Sequence, residues 1–431
     1  MRFPARAADG LLVLIAFIVP AWAAAMPLEE AVRLATLRDP EVAAMQQDIA
    51  QQETQIEIIK DGQRPRFSVN MGTGRMVGTR PAQSGQRNVD LELVASQMLF
   101  DWGKVSAQIE GASHDRIQIV SNLKKQMETL AFDIASLYLD AETAKAKLEA
   151  TAEYRQNAAR LAEMTQVRES GGRGDVSETA RARLETSRGE ERQFAFESAH
   201  DVALARLQLL VGISDISTEA VPELAYRQRV DTPASLDESI KRAPDYLKAQ
   251  AAMASAQAGI DVARATNKPV LRLEAAAANA GMSGDGRGGG TLRLVMGVDL
   301  GVSDLLGRQA LAAQQKHEAS RERLAGVARD LQKETQSYAR QIKALATSEA
   351  AFRLQADEAR AVVATYEEQF TAGLRSMTDL FTSIREQYST QLTWIDTADQ
   401  RRRLQYKAAA LLGLQGTLLQ ETAGDRRKVG P

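Results

Sequence analysis

The positions of proline limit this 431-residue chain more than any other feature, because a proline inside a helix costs about 3 kcal/mol. The eleven prolines leave two long proline-free tracts, 82–221 and 270–430. Within them, glycine interrupts the stretch 104–170 only at Gly111 and the stretch 308–371 only at Gly326. Each tract therefore predicts one helix of about 63 to 65 residues, which is roughly 95 Å long at a rise of 1.5 Å per residue. A helix of that length cannot be a core element of a compact globule.

The apolar residues of both tracts follow the spacing of a coiled coil. Steps of four and three residues recur in the second tract at Tyr338, Ile342, Leu345, Phe352, Ala356, Ala359, Val363, Tyr366 and Phe370. The first tract repeats this spacing at Leu130, Ile134, Leu137, Ala141, Ala144 and Leu148. An apolar period of about 3.5 residues predicts coiled-coil packing. One such stripe alone would indicate only a buried helix face, whereas two tracts with one organisation favour the coiled coil.

The two tracts belong to a duplication with a constant offset. The segment RDPEVAAMQQDIAQQETQIEIIKDGQRPRFSV (38–69) aligns with RAPDYLKAQAAMASAQAGIDVARATNKPVLRL (242–273). The alignment matches Pro40 with Pro244, Ile56 with Ile260, Pro65 with Pro269 and Gly103 with Gly307. A repeat of this size predicts two structural units in tandem, each with a shorter helix before its long one.

Between the shorter and the longer helix, each repeat has two segments in which apolar and polar residues alternate. The segments are RFSVNMGTG (66–74), NVDLELVA (88–95), LRLEAAAA (271–278) and TLRLVMGVDL (291–300). This period of two predicts two β-hairpins with one apolar and one charged face. Such strands either cover a protein core or belong to a membrane barrel with a polar interior.

The long helices are too thin to be the core that these strands would cover, which favours the barrel. Four strands cannot close a barrel, so several chains must share one. Because a barrel has at least about eight strands, two or more chains are needed, and the pattern itself does not choose between a dimer and a trimer. Phe100 and Trp102 stand where an aromatic belt at the membrane surface is expected.

The first 25 residues are typical of a secretory signal. Arg2 and Arg6 precede an apolar run over 11–19, and small residues lead to an expected cleavage after Ala25 or Ala23. The alternative is a membrane anchor, which needs roughly 20 apolar residues and therefore a longer apolar run than this one. The chain has no cysteine, which excludes disulfides and thiolate metal ligands, and its net charge of -2 gives no electrostatic case for nucleic-acid binding.

Each long helix stops at a glycine-containing break and then restarts, in RESGGRGDVSET (168–179) and QFTAGLRSMTDL (369–380). Glycine supplies the backbone conformations that a reversal needs, and Asp, Ser or Thr just beyond it cap the next helix. The breaks therefore predict the tips of two helical hairpins, at Gly171, Gly172 and Gly174 and at Gly373.

Other motifs give no catalytic or metal site. GDGRGGGT (284–291) lacks the ending of a phosphate-binding loop, and the three histidines are far apart without a His-x-x-x-His pair. No nucleophile elbow is present. The sequence therefore predicts no enzyme, no cofactor and no metal ion, and Arg401 to Arg403 are interpreted as a solvated helix face.

The whole mature chain resembles the TolC-like family of outer-membrane factors. The resemblance rests on the duplicated order of helix, hairpin and long helix, on SQMLFDWGK (96–104), and on AGLRSMTDLFTS (372–383). It implies a mainly α fold with a small β part, in which a homotrimer shares a twelve-stranded barrel in the cell outer membrane. The long helices then form a periplasmic tunnel, which a periplasmic membrane-fusion adaptor and an inner-membrane ABC or proton-driven pump engage at the helical tips.

The resemblance and the patterns together divide the chain into nine segments. They are a signal peptide (1–25), first-repeat helices (26–64), a first β-hairpin (65–102), a first long helical hairpin (103–212), an equatorial segment (213–243), a second-repeat helix (244–268), a second β-hairpin (269–306), a second long helical hairpin (307–414) and a tail (415–431). The two tips are expected near 171–175 and 371–375.

The family's gate pattern carries over to four positions. Its glycine, arginine and aspartate match Gly373, Arg375 and Asp379, and its acidic partner matches Glu178. The resemblance implies that Arg375 pairs with Glu178 at the closed end and that Asp379 builds an acidic constriction. The alternative is a solvated surface pair worth about 0 to 1 kcal/mol.

Two residues depart from the gate of TolC itself: Phe370 replaces a tyrosine and Thr382 a second aspartate, which predicts fewer hydrogen bonds and weaker cation affinity. The adaptor is expected to dock at the tips, on Gly172, Gly174, Gly373 and Leu374.

The function expected from these observations is the exit duct of a tripartite export system, for type I protein secretion, multidrug efflux or both. A periplasmic coiled-coil adaptor or scaffold is the alternative, and an exported helical enzyme is the third class. The adaptor predicts no amphipathic hairpins, and the enzyme predicts a convergent polar pocket.

Overall fold

A computed structural model describes residues 25–75, 87–172, 174–279, 289–298 and 307–420. The expected signal segment up to residue 24, the loop 281–288, the strand end at 299–300 and the tail from 421 lie outside the described residues.

The described residues form long helices and one small sheet. The helices are α1 (Leu28–Arg38), α2 (Pro40–Asp61), α3 (Lys104–Ser170), α4 (Val176–Val211), α5 (Pro233–Arg242), α6 (Pro244–Thr266), α7 (Arg308–Thr371) and α8 (Met377–Leu411). The strands are β1 (Arg66–Arg75), β2 (Arg87–Phe100), β3 (Val270–Asn279) and β4 (Gly289–Gly297). Helix α3 has 67 residues and α7 has 64, so each is roughly 100 Å long. The prediction of a mainly α fold with four strands is confirmed.

Local signals explain where the helices begin. The Asp39 side chain accepts a hydrogen bond of 2.8 Å from the Val42 amide ahead of α2, whose first residue is Pro40. Thr232 and Ser235 form a capping box at α5. Side-chain oxygens at these positions satisfy amides that have no partner within the helix.

The junction between β2 and α3 is a fixed corner. Trp102 has a φ of 59°, unusual for a residue other than glycine, and is followed by Gly103 at 83°. The indole Nε1 donates to the Pro269 carbonyl over 2.7 Å, which ties the corner to the second repeat. The Asp101 carboxylate accepts from the amides of Gly103 and Val105 at 3.0 and 2.7 Å and thereby caps α3.

The strands form one antiparallel sheet in the order β1-β2-β3-β4. The β2–β3 pairing joins the two repeats, and its register shifts between Met98 and Phe100. Across the sheet the paired apolar residues share one face: Val69 with Leu93, Leu93 with Ala277, Ala275 with Leu292, and Leu271 with Met296. No described part of the chain covers this apolar face, with Phe67 82% and Leu292 71% exposed.

The long helices pack as two hairpins, α3 with α4 and α7 with α8. Helix α2 lies along the first part of α3, and α6 lies between α3 and α7. Every residue of the predicted stripe from Tyr338 to Phe370 is buried or half-buried, and this includes its one polar member. Glu349 is itself half-buried, so the whole stripe faces the neighbouring helices, which confirms the coiled-coil interpretation.

Two apolar clusters hold the helices together. The equatorial cluster joins α1, α5 and residues 415–420 to the long helices, with Tyr138 of α3 fully buried and its hydroxyl donating to the Met26 carbonyl at 3.0 Å. The tip cluster lies between the two hairpins near their ends and includes Leu161, Ala182 and Leu380. Among the described residues, no helix is both long and apolar enough to cross a membrane.

Candidate gate at the helical tips

The tip of the second hairpin is a tight, hydrogen-bonded reversal. After α7 the amide of Gly373 donates to the Phe370 carbonyl and the amide of Leu374 donates to the Gln369 carbonyl, both at 2.9 Å. This pair of bonds is a Schellman motif, which needs a left-handed residue, and Gly373 has a φ of 76°. Ser376 and Asp379 then form a capping box at the start of α8. Leu374 is left 77% exposed at the end of the hairpin.

The tip of the first hairpin is also a glycine turn followed by a capped helix, with different residues. Gly172 has a φ of 67°, and a side chain at Gly174 would meet the Glu169 amide nitrogen at 2.9 Å. Asp175 caps α4, since its carboxylate accepts from the Ser177 amide at 3.1 Å and the Ser177 hydroxyl at 2.8 Å. These hydrogen bonds, led by the one from the Ser177 amide, lower the pKa of Asp175. The tip therefore carries a fixed negative charge at neutral pH.

Arg375 folds back onto its own hairpin. Its guanidinium lies over the Tyr366 ring, with Cζ 4.3 Å from the ring centroid, and its Nε donates to Gln369 Oε1 at 2.9 Å. The expected partner Glu178 lies in the first turn of α4 with one carboxylate oxygen, Oε2, buried and without a hydrogen-bond partner among the described residues. The two side chains share no hydrogen bond or ion pair within one chain, so their pairing stays a prediction for contacts between chains.

Asp379 and Phe370 are also held within their own chain. The Asp379 carboxylate accepts from the Ser376 hydroxyl at 2.8 Å as part of the capping box, and the residue is half-buried. Phe370 is only 5% exposed and packs in the tip cluster, with the Arg168 guanidinium 4.9 Å from its ring centroid. Within the chain Phe370 therefore packs between helices, and its part in a gate stays a prediction.

A polar network between the hairpins was not predicted from the sequence. The Glu185 carboxylate on α4 is nearly buried and accepts from the Tyr154 hydroxyl and from Arg188, while Arg385 of α8 lies 3.8 Å away. Burial is the main cause that raises the pKa of Tyr154, followed by its bond to Glu185, so this phenol stays protonated and acts as a donor. The Tyr154 ring stacks on Tyr388 of α8.

Further polar pairs link the same two hairpins on either side of this network. Gln387 donates to Glu153 at 2.9 Å, and Arg160 forms an ion pair with Glu367 at 2.9 Å. No sequence signal identified these residues, because each pair joins helices more than 200 positions apart.

The interpretation of Arg401 to Arg403 as a solvated face was wrong. Arg401 contacts Glu349 at 2.5 Å and also Glu223, with 14% of its side chain exposed. Arg402 pairs with Glu142 at 2.6 Å, and Arg403 spans Asp140 and Asp399, both at 2.6 Å. Each arginine faces a different neighbour, so the three together join α8 to α3, α7 and the equatorial segment.

Sequence comparison identifies the family to which this architecture belongs. The profile of the outer membrane efflux protein family matches residues 31–213 and 235–414. The chain belongs to this family. The resemblance to TolC-like outer-membrane factors is thereby confirmed. Protein CyaE of Bordetella pertussis is 27% identical over 257 residues, which are 58% of this chain and 53% of CyaE, so the match spans about half the length of that relative.

Solved structures share the fold of this outer membrane efflux protein. CusC superposes with a TM-score of 0.78 at 16% identity, covering 90% of this chain and 92% of CusC. The outer membrane protein VceC of Vibrio cholerae gives 0.76 at 13%, covering 90% and 96%. The open state of the MtrE outer membrane channel of Neisseria gonorrhoeae gives 0.67 at 16%, covering 90% and 89%.

Membership of the outer membrane efflux protein family places the chain among export channels of the outer membrane rather than among enzymes. Both tips described above lie within the residues that match this family.

Proposed function

We propose that three copies of this outer membrane efflux protein assemble into the exit duct of a tripartite export system. Each chain contributes its four strands to a twelve-stranded barrel and its long helices to a periplasmic tunnel. The observation that carries the proposal is the uncovered apolar face of the sheet, described above, at one end of helices roughly 100 Å long.

The sheet is incomplete in a single chain. Strands β1 and β4 are its outer strands, so one side of each has backbone groups that pair with no described residue. In lipid such groups must be paired, and a closed barrel is the arrangement that pairs them all. Sister chains that join β4 of one copy to β1 of the next satisfy this requirement and surround a polar interior.

The tips are the proposed gate and docking site. Glu178 has a carboxylate oxygen that no described residue contacts through a hydrogen bond, and Arg375 is held near the tip by Tyr366 and Gln369. In a trimer Arg375 reaches the Glu178 of a neighbouring copy, and three copies of Asp379 form the acidic constriction. The exposed side chain of Leu374 and the exposed Gly172 and Gly373 turns give the adaptor an apolar contact.

The cargo is a protein, a small molecule or both, driven by an inner-membrane ABC or proton-driven pump. The segment SQMLFDWGK (96–104) is similar to secretion-type members of the family and favours type I protein export. The competing function, a periplasmic coiled-coil adaptor, has no use for an apolar sheet face of this extent.

A pair of matched substitutions on β4 tests the duct. Leu292 lies on the apolar face and Thr291 on the opposite face of the same strand, and both are exposed. An arginine facing lipid near the mid-plane costs about 2 to 4 kcal/mol, so Leu292→Arg should abolish recovery of a heat-resistant trimer from outer membranes while Thr291→Arg preserves it. Native mass and membrane fractionation in detergent are the readouts. A wild-type chain that purifies as a monomer in buffer without detergent would overturn the proposal.

A further inference from the structure

A cavity of about 960 Å³ lies where the sheet meets the helices, on the charged side of the sheet. Helices α2, α3, α6 and α7 form its wall, and the polar face of β1, β2 and β3 forms its roof through Arg66, Ser96, Met98 and Arg272. It lies on the side of the sheet opposite the apolar face, which is the inner side of the proposed duct.

The charges that line this cavity are mainly positive. Five cationic side chains border it: Arg64, Arg66, Lys104, Arg272 and Lys316. The two acidic residues in the wall are Asp101 and Asp115. Asp101 is already used to cap α3, and Asp115 accepts a hydrogen bond of 2.8 Å from Gln118.

Most of these cations have no acidic partner. Arg64 pairs with Asp61 at 2.7 Å, whereas Arg66, Lys104, Arg272 and Lys316 form no ion pair with any described residue. Farther along the same face of the sheet, Arg293 is paired with Glu274 at 3.3 Å. The excess of positive charge is therefore local to the cavity.

The wall also offers apolar surface and open space. The side chain of Ile58 is 56% exposed and lines the cavity, as do those of Met98 and Val262. Gly259 has no heavy atom within 4 Å of where a Cβ would be. A site with unpaired cations beside aliphatic side chains suits a chain that carries carboxylates and apolar groups together.

We propose that this cavity, the basic collar, binds the carboxylates of an acidic polypeptide as it passes from the helical tunnel into the barrel. The proposal rests on the proposed duct, because only there does cargo cross the collar. Three copies around one axis would present twelve such cations to the same stretch of chain, and charges of one sign that line a cleft attract a chain of the opposite sign.

Binding of a fluorescein-labelled decaglutamate to the full-length protein in detergent tests the collar without requiring conduction. The variant Arg66→Gln/Arg272→Gln/Lys316→Gln removes three charges and leaves Lys104, which begins α3, in place. We expect about tenfold weaker binding, from about 0.5 kcal/mol per exposed charge contact, and a loss of most of the salt dependence. The control variant Arg33→Gln/Lys241→Gln/Arg242→Gln removes three exposed charges from α1 and α5 and should bind as the wild type does.

The same variants in planar bilayers separate this inference from the duct. We expect the collar variant to shift the reversal potential in a KCl gradient toward cation preference, while the control does not. A protein that never conducts contradicts the proposed function. A protein that conducts, but whose decaglutamate binding and reversal potential are unchanged in the collar variant, overturns the collar. Equal competition by free glutamate, at the same carboxylate concentration, would overturn its assignment to a polypeptide.

Discussion

The rings of Tyr154 and Tyr388 lie stacked at a centroid distance of 4.5 Å and an interplanar angle of 18°. Tyr154 belongs to α3 and Tyr388 to α8, so the stack crosses from one helical hairpin to the other. Both rings are almost fully buried, and the Tyr388 hydroxyl shares a hydrogen bond of 2.8 Å with Thr151. We expect this contact to couple the two tips, because sliding of one hairpin past the other would separate the rings.

Replacing Tyr388 tests that coupling. Tyr388→Leu should cost about 2 to 4 kcal/mol through lost packing and lost stacking, and should speed backbone hydrogen exchange in 363–388 and 150–185 together. The matched change Tyr388→Phe keeps the ring and removes one hydroxyl, so it should cost about 0.5 to 1.5 kcal/mol. Faster exchange confined to α8 in the leucine variant would show that the hairpins are not coupled there.

One of the three consecutive arginines of α8, Arg402, is expected to stabilise the equatorial segment. Arg402 pairs with Glu142 Oε1, and Glu142 Oε2 accepts from the Val221 amide at 3.0 Å, so one carboxylate joins α8 to the equatorial segment. Arg402→Met leaves that half-buried carboxylate without its counter-ion, at a cost of about 1 to 3 kcal/mol.

Limited proteolysis measures the loss around residue 221, which should be cleaved faster in Arg402→Met. The control is Arg33→Met, which removes an exposed ion pair with Glu30. Such a pair contributes about 0 to 1 kcal/mol to stability. Equal cleavage rates in both variants would mean that Arg402 does not hold the segment.

Local and periodic signals in the sequence predict much of the fold. The proline gaps predicted helices close to α3 and α7, since one proline is enough to exclude a helix interior. The alternation in RFSVNMGTG and NVDLELVA predicted the apolar face of the sheet, which the register of Val69 opposite Leu93 confirms.

The contacts that the sequence missed depend on which helix faces meet. Glu185 and Arg385 are far apart in the chain, and no period brings them together. Three adjacent residues of a helix point in different directions, so the sequence predicts that Arg401 to Arg403 face solvent. In the structure each of them instead contacts a different acidic residue. The sequence predicts Phe370 both as a member of the apolar stripe and as a gate residue. Its burial confirms the stripe, and its part in a gate stays a prediction.

Glu128 predicts a pH dependence of stability. Its side chain is buried beside residues 415–416 and accepts from the Gln415 amide at 3.1 Å, and burial is the main cause that raises its pKa to about 7 from 4.5. The folded state therefore binds a proton more tightly than the unfolded state does. Protonation of Glu128 therefore stabilises the folded state, and this stabilisation is fully present below pH 4.5. It amounts to at most about 3 kcal/mol and is lost as the pH rises to about 7.

The variant Glu128→Gln isolates this effect, since the amide oxygen still accepts from Gln415 but does not titrate. Thermal unfolding of the wild type should show a fall in midpoint between pH 5 and 8 that the variant lacks, with the variant more stable at pH 8. Parallel pH profiles for the two proteins would contradict the assignment to Glu128.

Two glycines of α7 and its tip predict opposite effects of the same substitution. Gly373 has a φ of 76°, so Gly373→Ala should cost about 1 to 2 kcal/mol although no atom lies within 4 Å of the new methyl group. Gly326 is inside the helix with equally open space, so Gly326→Ala should stabilise by about 0.5 to 1 kcal/mol. Hydrogen exchange near each site measures the sign, and a stabilising Gly373→Ala would contradict the left-handed turn.

The proposed gate predicts an electrical consequence of removing one charge near the tip. Arg375→Ser deletes the cation that Tyr366 and Gln369 hold at the end of α7 and leaves each neighbouring Glu178 without a counter-ion, so the closed-state current in planar bilayers should rise. Glu178→Gln should raise the current to a similar extent, and the double variant should add little, because both changes remove the same pair. Arg183→Ser, an exposed position of α4, is the control. Unchanged current in Arg375→Ser would leave the arginine as an exposed side chain stacked on its own helix, with no part in closing the duct.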